Sequence, residues 1–261
     1  MTRADDAKAP SRELTGQAED YLKAVYELGR AGDGSADAPV GTNAIAERLG
    51  IAAASVTGML QRLARLGLVT TERYHGTRLT ASGRTMALQL IRRHRVIESY
   101  LVSRLGFAWD DVHDEAERLE HAASPELIAK MADVLGNPTV DPHGAPIPTA
   151  DGKIDERELE SLATLTVGAN ARVAGMGDRD PSLLRYLAER GIKPGARVRV
   201  ESREPFDGAI VLTVGRERQT VSPGAASNVR VELATAGAAR EASSRATPRP
   251  APSRRRRSAD S

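Results

Sequence analysis

Residues 42–66, TNAIAERLGIAAASVTGMLQRLARL, decide the fold of this chain. Thr42 can cap a short helix that runs through Leu49, and residues 51–54 then turn the chain into a second helix. Apolar residues recur at helical spacing on one face of the second helix, at Val56, Met59, Leu60, Leu63 and Leu66. Two short helices joined by a tight turn are typical of a helix-turn-helix, and we predict that motif here.

The segments on either side extend this motif to a winged helix-turn-helix domain at residues 14–81. Before it, residues 15–29 predict an amphipathic helix, because apolar side chains recur at helical spacing at Tyr21, Leu22, Val25 and Leu28. After it, Gly67 ends the second helix. The sequence VTTERYHGTRLT then alternates around His75-Gly76 as a two-stranded hairpin, which is the predicted wing.

Three further helices predict a helical dimerisation and metal-binding domain at residues 82–149. Their expected bounds are 82–105, 109–123 and 125–136. The start of the third is marked by Ser124 and Pro125, which are an N-cap followed by proline at the first helical position. Gly136 ends this helix.

The remaining chain predicts a small β-barrel at residues 161–234, after a linker at 150–160. Its short strands are VRVES, AIVLTV, RQTVS and NVRVEL, separated by Gly, Pro and Asn. Both ends are polar or low in complexity, so we expect disorder at 1–13 and a disordered basic tail at 235–261. The fold class is therefore mainly α with a small C-terminal barrel.

Composition limits the classes of function. The chain has no cysteine, which excludes disulfides and thiolate metal sites and leaves nitrogen, oxygen and thioether ligands. An aromatic content of 3% argues against a large aromatic ligand pocket. No apolar run approaches the ~18–20 residues that span a bilayer, and the polar start MTRADDAKAPSRE lacks the apolar core of a signal peptide. We therefore expect a cytoplasmic protein.

The formal net charge of +2 is unevenly distributed. Residues 240–261 hold seven arginines against two acids, so the rest of the chain carries −3. Residues 48–95 hold nine arginines and one acid, whereas residues 110–133 hold eight acids and two basic residues. The first segment is suited to a polyanion and the second to a cation.

The second segment and the helix before it contain a pattern of metal-ligand residues. His113, Glu117, Glu120 and His121 are spaced i, i+4, i+7 and i+8, so they share one face of a helix. On the preceding helix, His94 and Glu98 form an i, i+4 pair. The alternative is that these are exposed charges on solvated helices. Two such sets in a cysteine-free chain favour a metal site built between helices.

The motifs, in their order and spacing, resemble the diphtheria-toxin-repressor-like family of metal-dependent regulators, specifically its manganese-sensing branch. The resemblance covers residues 14–149 and rests on AEDYLKAVYEL, IAERL, SVTGMLQRL, GLV, LTASGR, RRHRVIESYL, VHDEAERLEH and DPHGAPIP. It implies a homodimeric repressor that binds double-stranded operator DNA and controls metal-ion homeostasis, with Mn²⁺ or Fe²⁺ as co-repressor. It further implies an SH3-like terminal barrel, no membrane or small organic substrate, and no enzymatic activity.

The resemblance also assigns two metal sites by position. The primary, activating site takes Asp20, Glu117, Glu120 and His121. The ancillary site takes His94, Glu98 and His113, completed by Asp180 of the barrel domain. Asp20 lies in the DNA-binding domain and the other primary ligands in the dimerisation domain, so one ion would bridge the two domains. Acids at Asp20 and Glu117 favour Mn²⁺, with Fe²⁺ a close competitor.

Two positions depart from the family pattern. Lys23 stands where some manganese sensors with a paired-ion site use Glu, and Leu183 stands where an amide ligand is expected from the barrel. Asp180 also has a structural alternative, because Asp-Pro before an apolar helix is a helix cap.

The expected DNA contacts follow from the motif, in which the second helix lies in the major groove. Its first turns carry the small residues Ala52, Ala54, Ser55, Thr57 and Gly58. We therefore expect sparse hydrogen bonds to bases, with methyl contacts and DNA shape contributing to recognition. Arg62 and Arg65 on this helix, with Arg73 and Arg78 on the wing, are placed for phosphates. Their alternative role is solubilising charge.

Two other classes of function are weighed against the metal-dependent repressor. A winged-helix regulator that answers a small molecule would bind DNA whether or not a chelator is present. A helical carboxylate metalloenzyme is disfavoured, because four-helix di-iron sites use paired Glu-x-x-His spacings, whereas Glu117 precedes His121 by four residues.

Overall fold

The computed structural model of the chain describes residues 14–31, 38–72, 74–157 and 159–234. The disorder expected at 1–13 and 235–261 lies outside these residues. Within them, the chain forms two helical parts followed by a sheet. Among the described residues, every helix falls short of the length or the apolar character that a membrane span requires.

The N-terminal part is a winged helix-turn-helix. It consists of α1 (Gly16–Ala31), α2 (Thr42–Leu49), α3 (Ala53–Arg65), β1 (Val69–Glu72) and β2 (Gly76–Leu79). The two strands pair antiparallel, with Val69 opposite Leu79, and form the predicted wing. Thr42 is the first residue of α2 rather than its cap. Gly41 occupies the N-cap position, and no side chain caps this helix.

The core of this part explains why α3 presents one face outward. Val56, Leu60 and Leu63 are buried and pack in one cluster with Tyr21 and Leu22 of α1. The opposite face of α3 is exposed. The predicted apolar stripe therefore fixes which residues face solvent.

The wing is held closely against the start of the long helix α4 (Ala81–Leu105). A Cβ atom on Gly83 would overlap the carbonyl oxygen of Leu68, so only glycine fits there. Thr80 caps α4 by accepting a hydrogen bond from the Gly83 amide, and its hydroxyl donates to the Gly67 carbonyl at 2.7 Å. These contacts set the direction in which α4 leaves the DNA-binding part.

The central part adds α5 (His113–Glu120) and α6 (Pro125–Val134) to α4. The predicted N-cap at Ser124 is confirmed, because its hydroxyl accepts from the Leu127 amide at 3.2 Å. The first half of α4 packs into the N-terminal core, through Ala87, Leu88 and Ile91. Its second half packs with α5 and α6, through Val96, Ile97 and Leu101. One helix therefore belongs to both parts.

The C-terminal part is a six-stranded antiparallel sheet with two added helices. The strands are β3 (Glu160–Ser161), β4 (Asn170–Met176), β5 (Arg197–Arg203), β6 (Ile210–Val214), β7 (Glu217–Val221) and β8 (Val229–Leu233), in the order β3-β8-β4-β5-β6-β7. The helices are α7 (Pro181–Glu189) and α8 (Pro223–Ser227). The predicted small β-barrel is an open sheet in the structure. Its edge strand β3 pairs with β8 over only two residues, and among the described residues no ladder joins β3 to β7.

The loop after α6 joins the central part to the sheet. The His143 carbonyl accepts a hydrogen bond from the Met176 amide at 3.0 Å. A Cβ atom on Gly144 would overlap the Ala174 carbonyl oxygen, so the loop passes directly over β4. This contact places the chain that follows β4 beside the helices of the central part.

Candidate metal centres and DNA-binding surface

The first candidate metal centre lies between α1 and the end of α5. Asp20, Glu117, Glu120 and His121 each offer one ligand atom, and these atoms lie within 4.8 Å of one another. His121 Nε2 is 3.2 Å from Asp20 Oδ1 and 3.7 Å from Glu120 Oε1. The structure therefore brings together all four residues of the predicted primary site.

Glu19 orients His121 and was missed by sequence reasoning. The Nδ1 of His121 lies 2.8 Å from Glu19 Oε2, which leaves Nε2 facing Asp20. A carboxylate that fixes the ring of a ligating histidine is common beside metal ions. Arg93 also donates to Glu19, at 3.2 Å, and so fixes the carboxylate in turn. The acid directly before Asp20 was the available signal.

One oxygen of Asp20 is incompletely paired in this centre, with His121 Nε2 3.2 Å away as an ion-pair contact. Its Oδ1 atom is buried and has no hydrogen-bond partner among the described residues. Burial raises the pKa of this carboxyl group, and the positive charges of Lys23 and His121 only partly oppose the rise. A cation at this point would compensate the buried oxygen.

The second candidate centre combines His94, Glu98 and His113 with Asp178. His94 Nε2 is 3.0 Å from Glu98 Oε1, and His113 Nδ1 is 3.2 Å from the same oxygen. Asp180 lies outside this group of described residues. Its carboxylate caps α7 by accepting from the amides of Ser182 and Leu183.

The sequence partly distinguishes Asp178 from Asp180 as the acid that the C-terminal part places in the second centre. Both acids follow β4 in the segment GDRDP, and the resemblance pointed to the second. The Asp-Pro cap signature had already given Asp180 another role, which the structure bears out. Among the described residues, Asp178 and not Asp180 therefore lies beside His94, Glu98 and His113.

A third group, Glu98, Asp141 and His143, is fully buried and adjoins the second. Three of its atoms are buried without a hydrogen-bond partner among the described residues: Glu98 Oε2, Asp141 Oδ2 and His143 Nδ1. His143 Nε2 donates to the Trp109 carbonyl at 2.6 Å, which leaves its Nδ1 facing Glu98. That Nδ1 atom lies 3.9 Å from Glu98 Oε2. Burial also raises the pKa of Asp141.

Asp141 and His143 belong to the segment DPHG, which is one of the motifs that carry the resemblance. Unpaired buried ligand atoms are rare in folded proteins, because each costs the free energy of its lost hydration. Asp141 Oδ2 lies 3.4 Å from Arg95 Nε, so Glu98 Oε2 and His143 Nδ1 are the atoms of this group that a cation would satisfy. An acid and a histidine two residues apart were the available signal.

The first two centres are linked through the ring of His94. Its Nδ1 lies 2.9 Å from Glu120 Oε2, and its Nε2 lies 3.0 Å from Glu98 Oε1. Burial lowers the pKa of His94, but hydrogen bonds to Glu120 and Glu98 outweigh it and raise the pKa to about 10. Burial raises the pKa of Glu98, but hydrogen bonds from His113 and His94 outweigh it and hold the pKa well below its usual range.

The donor set fits a hard or borderline divalent cation. Carboxylate oxygens dominate the first centre, and the other two groups mix carboxylates with imidazoles. This chemistry suits Mn²⁺ and Fe²⁺. The buried atoms Asp20 Oδ1, Glu98 Oε2 and His143 Nδ1, which have no hydrogen-bond partner among the described residues, support the fit independently of donor type.

The candidate DNA-binding surface is the exposed face of α3 together with Ala52, the residue directly before this helix. Seven predicted contact residues are exposed: Ala52, Ala54, Ser55, Thr57, Gly58, Arg62 and Arg65. Arg78 is exposed on β2 of the wing. Arg73 lies outside the described residues. The small side chains at the start of α3 leave room for close approach to a duplex.

Comparisons with known proteins assign the class. Residues 13–77 match the family model "Iron dependent repressor, N-terminal DNA binding domain", and residues 80–149 match "Iron dependent repressor, metal binding and dimerisation domain". Residues 160–233 match the FeoA domain, which is SH3-like. The chain therefore belongs to the iron-dependent repressor family, whose members are metal-dependent transcriptional repressors and not enzymes.

Individual relatives agree with this assignment. The iron-dependent repressor IdeR of Mycobacterium bovis is 33% identical over 234 residues, which cover 84% of this chain and 98% of the relative. The diphtheria toxin repressor of Corynebacterium efficiens is 31% identical and covers 85% of this chain and 97% of its own length.

Among solved structures, a manganese-dependent transcriptional repressor in complex with manganese is 40% identical with a TM-score of 0.77. The match covers 83% of this chain and all of the other. The manganese regulator SloR is 30% identical with a TM-score of 0.70, covering 83% and 98%.

Proposed function

We propose that this chain is a homodimeric repressor of metal-homeostasis genes, which binds operator DNA when Mn²⁺ or Fe²⁺ occupies its primary site. One observation carries the proposal. Asp20, on the first helix of the DNA-binding part, lies within ligand distance of three residues at the end of α5. An ion held by this group would join the DNA-binding part to the central part.

The primary site is proposed to be Asp20, Glu117, Glu120 and His121. A bound ion would supply the positive charge that these carboxylates share. Asp20 then holds α1 against α5, and Glu19 keeps the His121 ring turned toward the site. Because α1 packs against α4 and the helix-turn-helix, the position of α3 depends on this contact. The two α3 helices of a dimer would thereby adopt the spacing of two operator half-sites.

The ancillary site is proposed to be His94, Glu98, His113 and Asp178, extended by Asp141 and His143. Asp178 comes from the C-terminal sheet, so this site would join the central part to the sheet. The buried atoms His143 Nδ1 and Glu98 Oε2, which have no hydrogen-bond partner among the described residues, support the extension.

Manganese is the favoured co-repressor, with ferrous iron the alternative. The primary donors are three carboxylates and one imidazole, and carboxylate oxygen is a preferred ligand of Mn²⁺. Relatives named for iron and for manganese are both similar to this chain. A repressor of this kind acts on chromosomal DNA, so we place it in the cytoplasm.

The exposed face of α3 is proposed to enter the major groove, with Arg62, Arg65, Arg73 and Arg78 on phosphates. Affinity should then fall steeply with rising salt, because each neutralised phosphate releases a counterion.

The test is operator binding titrated separately with Mn²⁺, Fe²⁺ under anaerobic conditions, Co²⁺ and Zn²⁺, with a chelator as the control. Asp20→Asn should abolish the metal response while the dimer stays folded. It is a better position than Glu120, because Glu120 also pairs with the buried Lys23 and His94, and its loss would leave each of them with one carboxylate partner fewer. Asp114→Asn, on the exposed side of α5, is the matched control.

Three results would contradict the proposal. Chelator-insensitive binding would favour a regulator that answers a small molecule. Ferrous oxidase turnover would favour a metalloenzyme. A normal metal response in Asp20→Asn would remove the bridging role of this residue.

A further inference from the structure

Lys23 occupies the first candidate centre with its own positive charge. It lies on α1, and its Nζ atom is 2.9 Å from Glu117 Oε1 and 2.5 Å from Glu120 Oε1. Its side chain is only 8% exposed. The two glutamates are also two of the four donors of the proposed primary site.

This position is unusual for a lysine. Among the described residues, Lys23 is the one lysine or arginine whose whole residue is buried. Burying an ammonium group is unfavourable unless carboxylates pair with it. The two glutamates therefore hold the ammonium group at this point.

On the basis of the proposed function, we infer that Lys23 competes with the metal ion for the primary site and so sets the metal concentration at which the repressor is activated. In the metal-free protein its ammonium group pairs with Glu117 and Glu120. An incoming ion needs oxygens of the same two carboxylates. The ion therefore binds in competition with the ammonium group of Lys23.

The direction of the effect follows from charge. If the ion displaces the ammonium group, binding must offset two charge-assisted hydrogen bonds. If the ammonium group stays, the ion binds beside a like charge in a poorly hydrated site. Both routes weaken metal binding. Lys23 thus lowers affinity for the ion while stabilising the metal-free fold.

The test is Lys23→Met, which keeps an apolar stem of similar length and removes the charge. Mn²⁺ affinity is measured by calorimetric titration, and the melting temperature of the metal-free protein is measured in chelator. We expect Mn²⁺ binding at the primary site to tighten by about tenfold or more, since the loss of even one such hydrogen bond corresponds to that factor. We expect the metal-free protein to melt at a lower temperature.

Two further variants make the outcome decisive. Lys130→Met, which removes an exposed lysine from α6, should change neither quantity. Lys23→Gln still donates one hydrogen bond, and it replaces Lys23→Met if that variant does not fold. Unchanged or weaker Mn²⁺ binding in a folded Lys23 variant would overturn the inference while the proposed function stands. Absence of Mn²⁺ binding in the unmodified protein would overturn both.

Discussion

The carboxylate of Glu27 on α1 accepts a hydrogen bond from Arg179, with Nη2 and Oε2 3.1 Å apart. The same oxygen pairs with Arg48 in the last turn of α2. Arg179 directly follows Asp178, the residue that the sheet contributes to the second candidate centre. One glutamate therefore connects the helix-turn-helix to the strand end that carries a candidate metal ligand.

This connection predicts a measurable coupling between Glu27 and Arg179. Glu27→Gln and Arg179→Gln should each lower the free energy of unfolding, and Glu27→Gln should lower it more because it loses two arginine partners. The coupling energy in a double-mutant cycle should be about 0.2–1 kcal/mol, as expected for a partly exposed pair. Urea unfolding of the four proteins measures it, and strictly additive effects would contradict the contact.

Asp178 and Asp180 provide a matched pair for the second centre. Asp178→Ala should weaken metal binding there by about tenfold or more, with little effect on the metal-free fold. Asp180→Ala should leave metal binding unchanged and destabilise the protein by about 1 kcal/mol, because α7 loses its N-cap. Calorimetric titration and thermal unfolding separate the two effects. The reverse pattern would restore Asp180 as the ligand.

The stability of the metal-free protein should fall as the pH rises above neutrality. His94 has a raised pKa of about 10 in the folded protein, against an ordinary value of 6.5. The stability that its protonated form contributes is fully present below pH 6.5 and is lost as the pH rises toward 10. Glu98 and Glu120, whose pKa values are lowered, act in the acid range and lose their contribution as the pH falls.

This dependence is measured as melting temperature against pH in the presence of a chelator. His94→Gln should show a shallower decrease over the alkaline interval than the unmodified protein. Parallel curves for the two proteins would show that another group is responsible.

Substitution by alanine at two glycines should change the free energy of unfolding in opposite directions. Gly83→Ala should destabilise the protein by about 2–3 kcal/mol, because the new methyl group meets the Leu68 backbone, which has little freedom to move. Gly58→Ala adds a methyl group to an exposed helix position with no atom within 4 Å, so it should stabilise the protein by about 0.5–1 kcal/mol. Denaturant unfolding of both variants is the measurement. Equal effects would contradict the packing of the wing on α4.

The parts of the fold set by local patterns were predictable from the sequence. The stripe from Val56 to Leu63 gave α3 and its exposed face, and Ser124-Pro125 gave the start of α6. Helical spacing also predicted that Glu117, Glu120 and His121 lie on one side of α5, and the structure places them close together. Asp20 came from the resemblance alone, since it is about a hundred residues away in the chain.

What could not be predicted depends on contacts between distant segments. Asp178 and Asp180 are equivalent by composition, and only the path of the chain after β4 separates them. His143 gained its candidate role from the Trp109 carbonyl, a backbone group that carries no sequence signal. Barrel closure depends on whether the first strand reaches the last. Strand patterns predict how many strands form, but they do not predict whether the first and the last strand come close enough to pair.

The single helix α4 has a mechanical consequence. With 25 residues and a rise of 1.5 Å per residue, it is roughly 37 Å long, so a tilt of about 3° at one end moves the other by about 2 Å. Gly83 fixes the wing to the first turn of α4, and His94 lies near the midpoint of the helix. A small shift of side chains around the His94 ring that tilts α4 therefore produces a larger displacement at the DNA-binding surface.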